Sequence, residues 1–111
     1  MLSTAVAENR IFQALADPSR RAIFESLARG GGDAAVKNLT ARFDISQPAV
    51  SQHLAALKDA GLVKGRRVGR CVYYRVEPHG IKPLVDWIAH YRAFWADHLD
   101  RLEQLLEEIE P

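Results

Sequence analysis

Apolar positions recur at helical spacing through the first half of the chain, and turn residues separate the repeats. Residues 4–15 carry Ile11 and its apolar neighbours on one side at steps of four, which predicts a first helix. Asp17 is suited to cap a second helix, and Pro18 is tolerated in a first turn because its missing N–H has no helical partner. Three glycines followed by an aspartate, residues 30–33, predict the end of that helix. The first third is therefore predicted to form two successive helices.

Two further helices are predicted next, joined by a short turn. Residues 37–43 predict a short third helix, and residues 44–46 predict a three-residue connection. The fourth helix begins after Ser46, a good N-cap, and ends near Gly61. Its buried stripe follows i, i+4, i+7 spacing and comprises Val50, Leu54 and Leu57. A short helix, a tight turn and a second helix predict a helix-turn-helix unit.

The outward face of the fourth helix lacks the long charged residues that a solvated helix usually carries. It presents small polar or neutral side chains in its first two turns, namely Gln47, Pro48, Ser51 and Gln52. Short amides and hydroxyls at a helix N-terminus suit contact with base edges in the major groove of DNA. The alternative is an ordinary amphipathic helix with a neutral surface.

After Gly61 the pattern changes from helical to alternating. Residues 62–68 and 71–76 are rich in β-forming side chains around Gly69 and Arg70, which predicts a hairpin with its tip at that pair. Three arginines lie at or beside the tip: Arg66, Arg67 and Arg70. Basic residues on edge strands also prevent aggregation, so this charge has a structural alternative. A hairpin directly after a helix-turn-helix is a wing, whose usual task is to contact phosphates or the minor groove.

From residue 81 the pattern predicts one long final helix that nearly reaches the C-terminus. Its apolar residues approach a heptad repeat, with Leu84, Ile88, Tyr91, Trp95, Leu99, Leu102, Leu106 and Ile109 in the seam. Such a helix exceeds what a small domain's own core needs, so part of its stripe requires a partner. We expect residues 81–111 to dimerise with a second copy, together with the first helix. Intrachain packing with a break near Ala93 is the alternative.

Composition limits the class of protein. A chain of 111 residues with 48% hydrophobic and 26% charged side chains predicts one folded domain over residues 1–111. Lys and Arg exceed Asp and Glu by five in residues 1–80, whereas the acids exceed the bases by four in residues 81–111. The first part therefore suits a polyanion. We expect a cytoplasmic protein, because no signal peptide or membrane span is evident and the lone Cys71 cannot form an intrachain disulfide.

The motifs together resemble one protein family. Residues 14–21 (ALADPSRR), 45–54 (ISQPAVSQHL) and 60–63 (AGLV), with Gly69-Arg70 and Tyr73-Tyr74-Arg75 at the hairpin, are similar to the ArsR/SmtB winged-helix repressors. The resemblance implies a mainly helical fold with a β-hairpin wing, in the order α-α-α-α-β-β-α. It also implies a homodimer that binds short palindromes in promoters and represses transcription.

The resemblance assigns roles to individual residues. It places Gln47, Pro48, Ser51 and Gln52 against base edges in the major groove. The predicted DNA backbone contacts are Arg66, Arg67 and Arg70, joined by Ser46, His53 and Arg20. The predicted dimer interface comprises Ile11, Leu84, Ile88, Tyr91, Trp95, Leu99 and Leu102.

Many members of this family release DNA when a metal binds or a thiol is oxidised. This chain lacks the cysteines of the arsenic- and cadmium-type sites, and it has Arg101 where a zinc-type site on the final helix would need a ligand. We therefore expect no metal and no cofactor, and any inducer is unknown. One alternative is a metal- or ligand-responsive repressor that uses Asp86, His90, Asp97 and His98. Another is a winged helix that binds only proteins. The sequence shows no combination of nucleophile, base and oxyanion donor, so we do not expect an enzyme.

Overall fold

The computed structural model describes the backbone of residues 2–109 and the side chains of residues 6–109. Residues 1, 110 and 111, which belong to the predicted domain and, at its end, to the predicted final helix, lie outside the described residues. The helices are α1 (Leu2–Ala16), α2 (Pro18–Gly30), α3 (Val36–Thr40), α4 (Gln47–Asp59), α5 (Lys82–His90) and α6 (Arg92–Ile109). The strands are β1 (Ala34–Ala35), β2 (Val63–Val68) and β3 (Cys71–Val76), and a 3-10 helix covers Pro78–Ile81. None of these helices combines the length and the apolar character needed to cross a membrane.

The helix boundaries follow the capping chemistry of the sequence. Asp17 caps α2, since its Oδ1 accepts a hydrogen bond from the Arg20 amide at 2.9 Å. Gly31 ends α2 in the left-handed conformation with φ 66°, which glycine adopts without strain. Ser46 caps α4 through its Oγ, which accepts from the Ala49 amide at 3.2 Å. These three predicted boundaries are confirmed.

The core lies where α1, α2, α3 and α4 meet the base of the hairpin. Its fully buried side chains are Ile11, Ile23, Leu27, Leu39, Val50, Leu54, Leu57 and Leu62. Burying an aliphatic side chain of this size is worth about 1.5–3 kcal/mol. The predicted stripe of α4 is therefore confirmed, and it fixes this helix against the body with its opposite face outward.

The hairpin belongs to a three-stranded sheet, although the sequence pattern predicted only two strands. β2 and β3 pair antiparallel around a two-residue turn, in which Gly69 has φ 62°. The added strand β1 pairs with the other edge of β3, with Ala34 opposite Tyr74 and Ala35 opposite Tyr73. Two alanines carry no strand pattern of their own, so only the tertiary pairing identifies β1. The third helix correspondingly covers Val36–Thr40 rather than residues 37–43.

The prediction of one long final helix was wrong. The helix breaks at Tyr91, which has φ −101° and ψ 12° and donates its amide to the Ile88 carbonyl. No glycine or proline marks this position. Before the break, Trp87 meets Phe12 of α1 edge-on at 5.5 Å between ring centroids, which packs α5 on the body, whereas all described side chains of α6 are exposed. The element order is therefore α-α-β-α-α-β-β-α-α.

One residue of the predicted dimer interface, Ile11, belongs instead to the core of one chain, whereas Leu84 packs partly against that core and keeps some exposed surface. Ile11 is 1% exposed, so its side chain has no surface to offer a partner. Leu84 is half-buried and packs against the core from α5. The reason is that α1 and α5 pack on each other within the chain, which consumes one face of each helix.

Two carboxylates that organise the fold predict its response to acid. The pKa of Glu77 is lowered mainly by a hydrogen bond from Lys64, 3.0 Å away, and the pKa of Asp17 is lowered mainly by the Arg20 amide. A lowered folded-state pKa contributes stability that is present above the unfolded value, about 4, and is lost as the pH falls through the folded value. We therefore expect the free energy of unfolding to decrease below about pH 4.5.

Urea unfolding at neutral and acid pH measures this effect. Glu77→Gln should be less stable than the parent at pH 7 and should approach it at acid pH, because the ionised carboxylate is then absent from both. Glu103→Gln, on the exposed surface of α6, is the matched control and should follow the parent at every pH. Parallel pH curves for Glu77→Gln and the parent would contradict the assignment.

Candidate nucleic-acid interface

The outer face of α4 is an uncharged surface over its first two turns. The four predicted base-contacting residues, Gln47, Pro48, Ser51 and Gln52, are all exposed on α4. Buried Val50 and Leu54 lie on the opposite side and anchor the helix. Amide and hydroxyl groups on a rigid, protruding helix can donate to and accept from base edges. Their contact with DNA remains a prediction.

The tip of the wing lies beside the N-terminal half of α4. Arg70 and Cys71 line a cleft of about 400 Å³ together with Gln47 and Ser51. Lys37, in the first turn of α3, lines the same cleft and was not among the predicted DNA contacts. A single lysine on a short helix has no sequence pattern that could have identified it. The fold therefore assembles two cations around the neutral surface of α4, which matches a DNA groove flanked by phosphates.

Arg66 differs from the other wing arginines. Its guanidinium forms an ion pair with Asp33, with Nη2 at 2.7 Å and Nε at 3.0 Å from Oδ2. Among the described residues, Arg67 and Arg70 form no ion pair. The structure therefore leaves Arg67 and Arg70 available to a phosphate, whereas Arg66 already has an anionic partner.

The remaining predicted backbone contacts differ in their surroundings. Ser46 uses its hydroxyl oxygen as the α4 cap, which leaves its O–H proton for a further bond. His53 is half-buried on α4, next to the fully buried Leu54. Arg20 is half-buried beside Arg10 in a separate cleft of about 550 Å³, at the end of α4 away from the wing. The fold therefore does not bring Arg20 together with the wing arginines.

The possible metal donors on the last two helices are separate from one another in a single chain. Asp86 pairs with Lys82 at 2.7 Å, and Asp97 pairs with Arg101 at 3.1 Å. His98 Nδ1 lies 3.0 Å from the Phe94 carbonyl. Within the part of the chain that the structure describes, no three His, Cys, Asp or Glu side chains converge.

A helix-turn-helix with a neutral recognition face and an adjoining arginine-bearing hairpin defines the class of winged-helix DNA-binding proteins. A family model described as a helix-turn-helix domain matches residues 15–66, which span α2, the helix-turn-helix unit and the start of the wing. The predicted fold class is confirmed.

Relatives and solved structures define the family. The chain is 41% identical over 106 residues to the HTH-type transcriptional regulator Rv2034 of Mycobacterium tuberculosis, covering 96% of this chain and 94% of that protein. It is 32% identical over 83 residues to the transcriptional repressor SdpR of Bacillus subtilis, covering 75% of this chain and 90% of SdpR.

Solved structures give the same result. The ArsR family regulator RHA00566 matches with TM-score 0.72 and 34% identity, covering 83% of this chain and 93% of that one. An ArsR-like regulator from Rhodococcus sp. RHA1 has TM-score 0.71 and 29% identity, with 93% and 95% covered. This chain belongs to the ArsR/SmtB family and is a DNA-binding transcriptional regulator.

Proposed function

We propose that this protein is a repressor that binds an inverted repeat in a promoter as a homodimer. The observation that carries the proposal is the uncharged outer face of α4 set beside Arg70 at the tip of the wing. The helix surface suits sequence reading, and the wing suits binding to phosphates. The similarity to SdpR, which is named a transcriptional repressor, supports repression rather than activation. The proposed activity is binding alone, without catalysis.

The last two helices support the dimer. The stripe of α6 exposes seven large apolar side chains by 45–75%, namely Phe94, Trp95, Leu99, Leu102, Leu105, Leu106 and Ile109. At roughly 100 Å² each, they offer about 700 Å², close to the 800 Å² that each partner buries in a typical interface. Further large apolar side chains are exposed at Tyr91 between the two helices, at Ile88 of α5 and at Phe12 of α1. An exposed apolar surface of this size indicates a protein partner. A second copy of the chain carries the same surface, so the two surfaces can cover each other in a two-fold symmetric dimer.

Two-fold symmetry sets the geometry of the proposed complex. Two copies of α4 would enter successive major grooves about 34 Å apart and read the two halves of the repeat. The polar side of α6 is acidic, with Asp97, Asp100, Glu103, Glu107 and Glu108. Repulsion from phosphates keeps this end of each chain away from the DNA, so the dimer contacts and the DNA contacts occupy separate regions.

Substitutions in the helix and the wing should have different effects. Gln52→Ala should weaken binding to the cognate repeat about 10- to 100-fold, because a bidentate base contact is worth about 1–3 kcal/mol. It should change binding to random DNA little. Arg70→Ala should weaken both and reduce the slope of log K against log salt by about one. Fluorescence anisotropy with the protein's own upstream DNA and with a random duplex measures all four affinities.

Footprinting of the same upstream DNA at physiological salt shows whether the protein protects a defined site there and where that site lies. Ala55 is also exposed on α4 but is not among the proposed DNA contacts. Ala55→Ser therefore tests whether any substitution on this helix weakens binding to the cognate repeat as Gln52→Ala does. If Gln52→Ala and Arg70→Ala have equal effects on both DNAs, the assignment of reading to the helix and of phosphate binding to the wing is wrong.

A further inference from the structure

The side chain of Arg66 links the last strand of the sheet to the residue that precedes the first. Arg66 lies in β2 directly opposite Tyr73 in β3, and Tyr73 lies opposite Ala35 in β1. The guanidinium carbon is 5.7 Å from the centroid of the Tyr73 ring. Nη2 of the same guanidinium is 2.7 Å from Oδ2 of Asp33, the residue immediately before β1. One side chain of β2 therefore contacts a ring of β3 and ties the chain at the start of β1 to the hairpin.

From this geometry we infer that Asp33 is a positioning residue for DNA binding, which holds the wing at its working angle through Arg66. The inference rests on the proposed function, and it assigns Arg66 to this contact rather than to a DNA phosphate. We name the three residues Asp33, Arg66 and Tyr73 the wing clamp.

The clamp adds to a short contact between β1 and the hairpin. β1 has only two residues, so its ladder with β3 is short. The Arg66 side chain is 63% exposed and that of Asp33 is 29% exposed, so water screens the ion pair and its effect lies in geometry more than in Coulomb energy. A charge-assisted contact to a planar guanidinium also constrains direction, since two of its nitrogens share the Oδ2 oxygen of Asp33. The clamp thereby sets the position of Arg67 and Arg70, which the wing presents.

The sign of one substitution separates the clamp from simple electrostatics. Removing a negative charge from a DNA-binding protein raises its affinity for DNA when only charge matters. Asp33→Asn should instead lower affinity about threefold to tenfold, because the wing loses its orientation. Asp44→Asn, in the exposed turn before α4, is the charge-matched control and should raise affinity slightly or leave it unchanged. A random-sequence duplex titrated at several salt concentrations is the probe.

A double-mutant cycle with a neighbouring arginine tests the pairing itself. Arg66→Met and Asp33→Asn should be strongly non-additive, since either one opens the clamp. Arg67→Met should add independently to Asp33→Asn and should reduce the salt slope by about one. The opposite result would be that Asp33→Asn raises the affinity for DNA and steepens its dependence on salt. That result would mean that Arg66 binds a DNA phosphate once Asp33 no longer competes for it, and it would refute the clamp.

A measurement without DNA distinguishes failure of the clamp from failure of the proposed function. Amide hydrogen exchange in β1 and in the facing residues of β3 should accelerate about fivefold in Asp33→Asn and in Arg66→Met, but not in Arg67→Met. Unchanged exchange in the first two variants refutes the clamp whatever the DNA results. Accelerated exchange in a protein that binds no DNA would establish the contact and reject its role in DNA binding together with the proposed function.

Discussion

Leu102→Glu should convert the proposed dimer into monomers and weaken binding to the proposed inverted repeat at least about 100-fold. Leu102 lies near the centre of the apolar stripe of α6 and is 52% exposed in the single chain. In a symmetric interface the substitution buries two carboxylates, and each desolvation costs several kcal/mol. A monomer then reaches only one half-site at a time. Analytical ultracentrifugation gives the oligomeric state, and anisotropy with whole and half repeats gives the affinity.

The matched control adds the same charge to the opposite side of the same helix. Gln104 lies on the polar face of α6, so Gln104→Glu should remain dimeric and bind the repeat as the parent does. Leu102→Glu should also retain the parent's affinity for a single half-site, because α4 and the wing are untouched. A Leu102→Glu protein that stays dimeric would show that the α6 stripe is not the interface.

Gly80→Ala should destabilise the fold by about 3 kcal/mol, the upper part of the range for overpacking. A Cβ on Gly80 would overlap the carbonyl oxygen of Gly61 and would lie 2.6 Å from its carbonyl carbon. Both atoms belong to backbone, which cannot move aside as a side chain does. The 3-10 helix that connects the wing to α5 would have to separate from the end of α4. Thermal unfolding measures the loss as a decrease in Tm of about 10–20 °C.

Another glycine provides the comparison for this stability prediction. Gly30 lies at the end of α2, and a Cβ there meets nothing within 4 Å. Gly30→Ala should leave the Tm unchanged or raise it slightly, because alanine reduces the freedom of the unfolded chain. Equal Tm values for Gly80→Ala and the parent would contradict the close packing of Gly80 on Gly61.

Local chemistry explains why much of the fold was predictable. The helix starts depend on Asp17 and Ser46, whose side chains cap the amides a few residues ahead. The hairpin tip depends on Gly69, which accepts a positive φ. Such contacts span three or four residues, so a short stretch of sequence contains both partners. The exposed face of α4 was likewise predictable, since helical spacing alone separates Gln52 from Leu54.

The pairing of distant segments explains what was missed. Asp33 and Arg66 are 33 residues apart, and only the sheet brings them together. The same sheet defines β1, whose two alanines have no alternating pattern. At Tyr91 the helical period of apolar residues continues through a break in the helix, and only α5, before the break, packs on α1 through Trp87 and Phe12. Periodicity reports that a residue is apolar, and it does not report which surface covers it.

The amino-acid sequence by itself determined the class of this protein: the helix-turn-helix, the wing and the uncharged outer face of α4 follow from caps, turns and periodicity within short segments. The tertiary structure decided how these parts are used. It buried Ile11 within one chain, freed α6 from the body and engaged Arg66 with Asp33. Each of these outcomes depends on contacts between residues far apart in the chain, whose energies exist only once the segments have packed.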